Sequence, residues 1–254
     1  MAIHFNQKPS LIAYVTCGDP DLRTTQEIVL AAIEAGASLV ELGVPFSDPL
    51  ADGPVIQRAS QRALAKGTTL ENVIRLAKDI RRQSQAGLII FSYLNPILRM
   101  GLARFSAEAA DAGIDGALVT DLPVEEASEY LREMRSQNLS TIFLAAPTSS
   151  EERLRSIAKV STGFVYAVSR TGVTGKRQQI SEDAQQLVKR IRHHTKLPVA
   201  VGFGISTPEQ FAAVGKFSDA AVVGSALVET IERNPGKEAQ CVGEFVQQLL
   251  ATSH

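Results

Sequence analysis

The chain has 254 residues, of which 44% are apolar and 21% charged, with a net charge of -1. That length suits one α/β barrel or two small domains, and it lets about three quarters of the unfolded surface be buried. A balance with no basic excess and no aromatic-basic interleaving gives no footing for nucleic acid, and no apolar run reaches the roughly 18 residues that a membrane span needs.

The residues Leu11 to Thr16 are apolar and β-rich and are closed by Gly18-Asp19-Pro20, so they read as a strand and a turn. Thr24 to Ala35 repeats apolar residues at helical spacing and stops at Gly36. The pattern then recurs. Leu39 to Leu42 reads as a second strand, with a helix from Pro54 to Ala65 and another from Leu70 to about Arg82. Leu88 to Phe91 is a third strand, running into Tyr93-Leu94-Asn95-Pro96 and a helix that ends at Gly113. Ala117 to Thr120 and Ser140 to Ala145 are strands four and five, with helices from Glu125 to Gln137 and from near Ser150. Gly163 to Val168 is strand six, and a polar segment separates it from a helix starting at Glu182. Pro198 to Val201 and Ala220 to Val223 complete eight strands, and Gly236 to Ala251 is a closing helix.

Strands that are short continuous apolar runs are buried on both faces, as in a parallel sheet. Eight strand-helix units of this kind predict a single (β/α)8 barrel domain spanning residues 1–254. An open doubly wound sheet is the runner-up, but Cys17-Gly18-Asp19-Pro20 after the first strand offers no glycine-rich nucleotide loop.

The segment Leu39 to Pro54, LVELGVPFSDPLADGP, carries the chemistry. Its strand ends on Glu41, and buried strands seldom hold acids. Pro45, Pro49 and Pro54 force the next ten residues into a shaped loop bearing Asp48 and Asp52. One carboxylate at a strand tip and another on the loop after it can set two acid/base groups across a small substrate. A solvent-facing Glu41 with turn-forming aspartates is the alternative.

In a barrel the active site lies at the C-terminal ends of the strands. Gly202 to Ser206 after strand seven, and Gly224 with Ser225 opening a short helix after strand eight, put backbone N–H groups where an anion such as phosphate can bind. A third loop, Thr171 to Gly175, follows strand six and is long enough to be a lid. No lysine falls at a strand end, which argues against imine chemistry. The histidines His4, His193, His194 and His254 stand at the ends or side by side, so no metal site is expected. Cys17 and Cys241 fit single thiols in a reducing cytoplasm, and the N-terminus shows no targeting pattern. What remains is a lyase or isomerase that moves protons on a phosphorylated substrate.

The stretches ELGVPFSDPLADGPVIQ, GALVTDLPVEE, VYAVSRTGVTG, VGFGIST and VVGSALV, in this order and spacing, closely resemble the tryptophan synthase alpha subunit family over nearly the whole chain. The resemblance implies a retro-aldol cleavage of indole-3-glycerol phosphate to indole and glyceraldehyde 3-phosphate, in tryptophan biosynthesis. It also implies that Glu41 and Asp52 are catalytic. Glu41 would serve both proton transfers, and Asp52 would take a hydrogen bond from indole N1–H and then its proton as indole leaves. The phosphate would rest on the Gly175, Gly204, Gly224 and Ser225 loops, with Thr174 and Gly202 beside them and Tyr14 and Tyr166 lining the indole pocket. Lys176 and Arg177 read as solvated charges.

The family's partner is a pyridoxal-phosphate-dependent beta subunit in an α2β2 heterotetramer, so no cofactor is expected in this chain. Its contact surface here would include Pro45, Asp48, Pro49 and Asn95. The residues before Leu11 are fewer than the family usually has, which leaves the helix that plugs the bottom of the barrel reduced or missing. Two rival readings are a freestanding indole-releasing lyase, and a barrel that only activates its partner; retention of both acids argues against the second.

Overall fold

The computed structural model describes residues 3, 5, 8–168, 177–202 and 204–251, without the side chains of 177–181. Eight parallel strands close into a barrel in sequence order: β1 (Ser10–Thr16), β2 (Leu39–Gly43), β3 (Gly87–Ser92), β4 (Gly116–Val119), β5 (Ser140–Ala145), β6 (Val165–Val168), β7 (Val199–Gly202) and β8 (Ala220–Val223). Parallel neighbours need a crossover, and helices supply it each time. These are α1 (Leu22–Glu34), α2 (Pro54–Ala65), α3 (Leu70–Arg81), α4 (Leu94–Met100), α5 (Leu102–Asp111), α6 (Ser128–Ser136), α7 (Glu151–Val160), α8 (Arg177–Arg192) and α9 (Pro208–Gly215), with α10 (Ser225–Arg233) and α11 (Glu238–Leu250) after β8. The predicted (β/α)8 architecture is the one observed.

Side chains alternate across a strand, so each strand feeds two cores. Ile12, Leu39, Ile89, Leu118, Ile142, Phe164 and Ala200 fill the barrel interior. Their neighbours Leu11, Ala13, Val40, Leu88, Ile90, Ala117, Val165 and Val199 face the helix ring. Each such Val, Leu, Ile or Phe side chain contributes about 1.5–3 kcal/mol by leaving water.

Several boundaries differ from the sequence reading. The single helix expected to end at Gly113 is two, α4 and α5, because Gly101 between them has φ 91, which no helix tolerates. Pro96 fits inside the first turn of α4, where a missing N–H costs nothing. Helix α8 begins at Arg177 and not at Glu182. Helix α9, absent from the reading, is opened by a capping box in which Thr207 and Gln210 satisfy each other's backbone N–H groups, with Pro208 at the first helical position.

At the N-terminal end of the barrel, Ile3 is buried in the interior cluster and Phe5 packs edge-on against Phe164 at 5.9 Å.

Candidate active site

Counting in twos along β2 from Leu39 brings Glu41 to the top layer of the barrel interior. Register sets it between Tyr14 on β1 and Ile89 on β3. It is 1% exposed, and neither carboxylate oxygen has a hydrogen-bond partner. Burial pushes its carboxyl up to about 8, so near neutrality it holds its proton. Glu41 faces a cavity of about 170 Å³ walled by Tyr14, Phe91 and Tyr166, with Gly224 and Ser225 on the rim.

Asp52 stands on the loop between β2 and α2. The Tyr93 hydroxyl donates to Asp52 Oδ2 at 3.0 Å and accepts from the Ala51 N–H at 2.9 Å. Phe46 stacks on the Tyr93 ring at 4.9 Å. The Gln57 side-chain amide donates to the Asp52 carbonyl at 2.9 Å, so the loop is fastened to the first turn of α2. Burial raises the Asp52 carboxyl to about 6, against the pull of the Tyr93 hydrogen bond. Asp52 borders a wider cavity of about 810 Å³ that shares Ile56, Phe91 and Tyr166 with the first. The two acids thus border adjoining cavities, one carboxyl kept protonated and the other ready to ionise.

Tyr14 and Tyr166 each lie across a glycine of the next strand. A Cβ on Gly43 would sit 2.4 Å from the Tyr14 hydroxyl, and one on Gly202 would sit 2.3 Å from that of Tyr166. Gly202 therefore borders the cavity as expected, but its missing side chain makes room for Tyr166. Burial, followed by the charges of Glu41, Tyr14 and Asp52, raises the Tyr166 phenol well above its usual value, so it stays a neutral donor.

Gly224 and Ser225, expected from the sequence to receive an anion, stand where β8 leads into α10. Gly224 caps α10 in a non-helical conformation with no side-chain capping bond, and the first helical bond runs from Val228 N–H to the Gly224 carbonyl at 3.1 Å. The amides of Ser225, Ala226 and Leu227 are thus left by the helix for another acceptor, at its positive end. Gly204, exposed and with φ 45, lines the same cavity. Thr174, Gly175 and Lys176 lie outside the described residues, as does the Arg177 side chain.

Of the four residues expected at a partner surface, Asp48 and Asn95 are exposed, Pro49 is half-buried and Pro45 is buried. Ser47 Oγ donates to Asp48 Oδ2 at 2.5 Å. Leu50, 94% exposed, and Leu98, 52% exposed, are the large apolar side chains left open among the described residues. Among those residues no group of three or more His, Cys, Asp or Glu could hold a metal ion, and no helix is long and apolar enough to cross a membrane. Cys17 is buried and Cys241 half-buried, both as free thiols. The sequence reading missed Ile56, Gln57 and Phe91 in the site; alternation from Ile89 would have found Phe91.

A family model described as "Tryptophan synthase alpha chain" matches residues 2–253. A tryptophan synthase alpha chain from Solibacter usitatus is 55% identical over 227 residues, covering 89% of this chain and 85% of that one. Another from Geotalea uraniireducens is 48% identical over 247 residues, covering 97% and 92%. Among solved structures, a tryptophan synthase complex from Pyrococcus furiosus superposes with a TM-score of 0.88 at 39% identity, covering 96% of this chain and 99% of that one.

Proposed function

The chain belongs to the tryptophan synthase alpha chain family, lyases that cleave indole-3-glycerol phosphate to indole and glyceraldehyde 3-phosphate, and we propose that Glu41 and Asp52 carry out that cleavage here within one barrel domain spanning residues 1–254. The observation that carries this assignment is Glu41 itself. A buried carboxyl with no partner, facing a cavity rimmed by a free helix N-terminus, is costly to folding and has no structural use.

The steps balance on this chain's own groups. Glu41 starts as the acid and gives its proton to indole C3, which makes the ring an indolenine with positive charge at N1. Its carboxylate then takes the proton of the glycerol hydroxyl as the C–C bond breaks, so the aldehyde forms and Glu41 returns to its starting state. The electron pair of the broken bond neutralises the ring. Asp52, as carboxylate, accepts the N1–H hydrogen bond while the charge is present, and shares that proton without keeping it. Tyr93 holds Asp52 in place, and the α10 N-terminus takes the phosphate with the Gly204 loop beside it. Tyr14, Phe91 and Tyr166 form the walls against which indole lies.

This chemistry needs no cofactor in the chain. The partner is a tryptophan synthase beta subunit, which carries pyridoxal phosphate, in an α2β2 assembly in the cytoplasm. Its docking face takes in Asp48, Pro49 and Asn95, and the exposed Leu50 and Leu98 supply the apolar contact such a face needs. The test is the rate of indole release by the purified chain, alone and with the beta subunit. Slow release alone with a large gain on adding beta is the expected outcome. Fast release alone would mark a freestanding lyase, and no release in either case would leave only a binding partner.

A further inference from the structure

The outer face of α2 carries a charge cluster that touches no part of the cavities. Arg62 donates through Nε and Nη2 to the two carboxylate oxygens of Asp19, each at 2.8 Å, and through Nη1 to Glu232 Oε1 at 2.7 Å. Arg58, one turn earlier, closes a second fork on Glu232, with Nε to Oε1 at 3.0 Å and Nη2 to Oε2 at 2.7 Å. Three elements meet here: the loop after β1, helix α2, and the last turn of α10.

Isolated exposed ion pairs contribute little. This cluster differs, because Asp19 is 3% exposed and both arginines make two-point contacts, which fix angle as well as distance. The two helices it joins are those that matter for the reaction. Gln57 fastens the Asp52 loop to the first turn of α2, so the loop travels with that helix. The phosphate cradle is the other end of α10, about 10 Å along the helix axis from Glu232.

We infer that Glu232, gripped by Arg58 and Arg62, is a positioning residue that sets the separation between Asp52 and the bound phosphate. The inference rests on the roles given above to Asp52 and the α10 N-terminus. A substrate anchored by its phosphate presents indole N1 at a fixed reach, and a strut between α2 and α10 holds the carboxylate at that reach. Loosening it costs turnover and leaves phosphate binding alone.

The experiment compares Glu232→Gln, Arg58→Gln and the double variant in the full-length chain, by steady-state cleavage of indole-3-glycerol phosphate and by competitive inhibition with inorganic phosphate. The expected result is a fall in kcat of roughly tenfold in Glu232→Gln and a smaller fall in Arg58→Gln, where Arg62 still holds Glu232. The double variant falls no further than Glu232→Gln, since loss of the Glu232 carboxylate already removes the contact that Arg58 makes, and the inhibition constant for phosphate stays within about twofold. Unchanged kcat with only a lower Tm makes the cluster a stabilising surface feature and overturns the inference, as does a kcat loss that is additive in the double variant. If Asp52→Asn keeps full kcat, or phosphate does not inhibit the unaltered chain, the roles of Asp52 and the cradle fail instead, and the strut falls with them.

Discussion

Replacing Glu41 by Gln removes an ionisable group from a site that penalises ionisation, so the change should stabilise the fold, and only at high pH. Glu41 is 1% exposed, and burial raises its carboxyl from 4.5 to about 8. The folded-state value is raised, so an unfolded chain ionises first as pH rises. Stability tied to the protonated group is therefore complete below about pH 4.5 and lost progressively up to about pH 8. At about 1.36 kcal/mol per unit, the full loss is about 5 kcal/mol as an order of magnitude. Gln pays no such penalty, and its unsatisfied amide costs the same at every pH. Urea unfolding of the two proteins at pH 5 and pH 8 reads the difference. The gap should move in favour of Glu41→Gln by about 3–4 kcal/mol between these two values. An equal gap at both pH values would mean that Glu41 ionises normally in the fold, which would remove the physical basis for its role as an acid.

Four further predictions follow from the same geometry. The reactive state needs Glu41 protonated and Asp52 ionised, so kcat/KM should be bell-shaped, with limbs near 6 and 8; a profile flat from pH 5 to 9 would contradict the pairing. Tyr93→Phe deletes the donor that favours ionised Asp52, so the acid limb should move upward and kcat/KM near pH 6.5 should fall about tenfold, in line with about 1.5–3 kcal/mol for a hydrogen bond to a charge. Gly202→Ala puts a methyl 2.3 Å from the Tyr166 hydroxyl, which should lower stability by about 1–3 kcal/mol and raise KM by pushing the ring toward the cavity; unchanged Tm and KM would show the ring to be free to move. Leu98→Asp, on the open face of α4, should reduce stimulation by the beta subunit and leave the rate without it untouched.

The barrel was legible because its signals are local. Apolar runs of four to six residues mark strands buried on both faces, and Pro54 and Asp52 in one short segment mark a loop that leads into a helix. Glu41 stood out for the same reason, as an acid inside an apolar run. What the sequence hid depends on contacts between distant residues. Tyr93 reaches Asp52 across 41 positions, and the need for glycine at 202 comes from a tyrosine on the neighbouring strand. The cluster of Asp19, Arg58, Arg62 and Glu232 spans most of the chain, and in the sequence its members are ordinary surface charges. Two misses were local and readable. The Thr207-Pro208-Glu209-Gln210 capping pattern announces α9, and Gly101 is the signal that separates α4 from α5.

The central claim is that one buried acid and one loop carboxylate divide the proton work. It is tested most directly by single-turnover cleavage of indole-3-glycerol phosphate by the unaltered chain, Glu41→Gln and Asp52→Asn, with substrate affinity measured on the same samples. Cleavage should slow by about 10²–10⁴-fold in each variant, with affinity nearly unchanged because the phosphate cradle is untouched. Cleavage by Glu41→Gln at the rate of the unaltered chain would show that the buried carboxyl is not the acid.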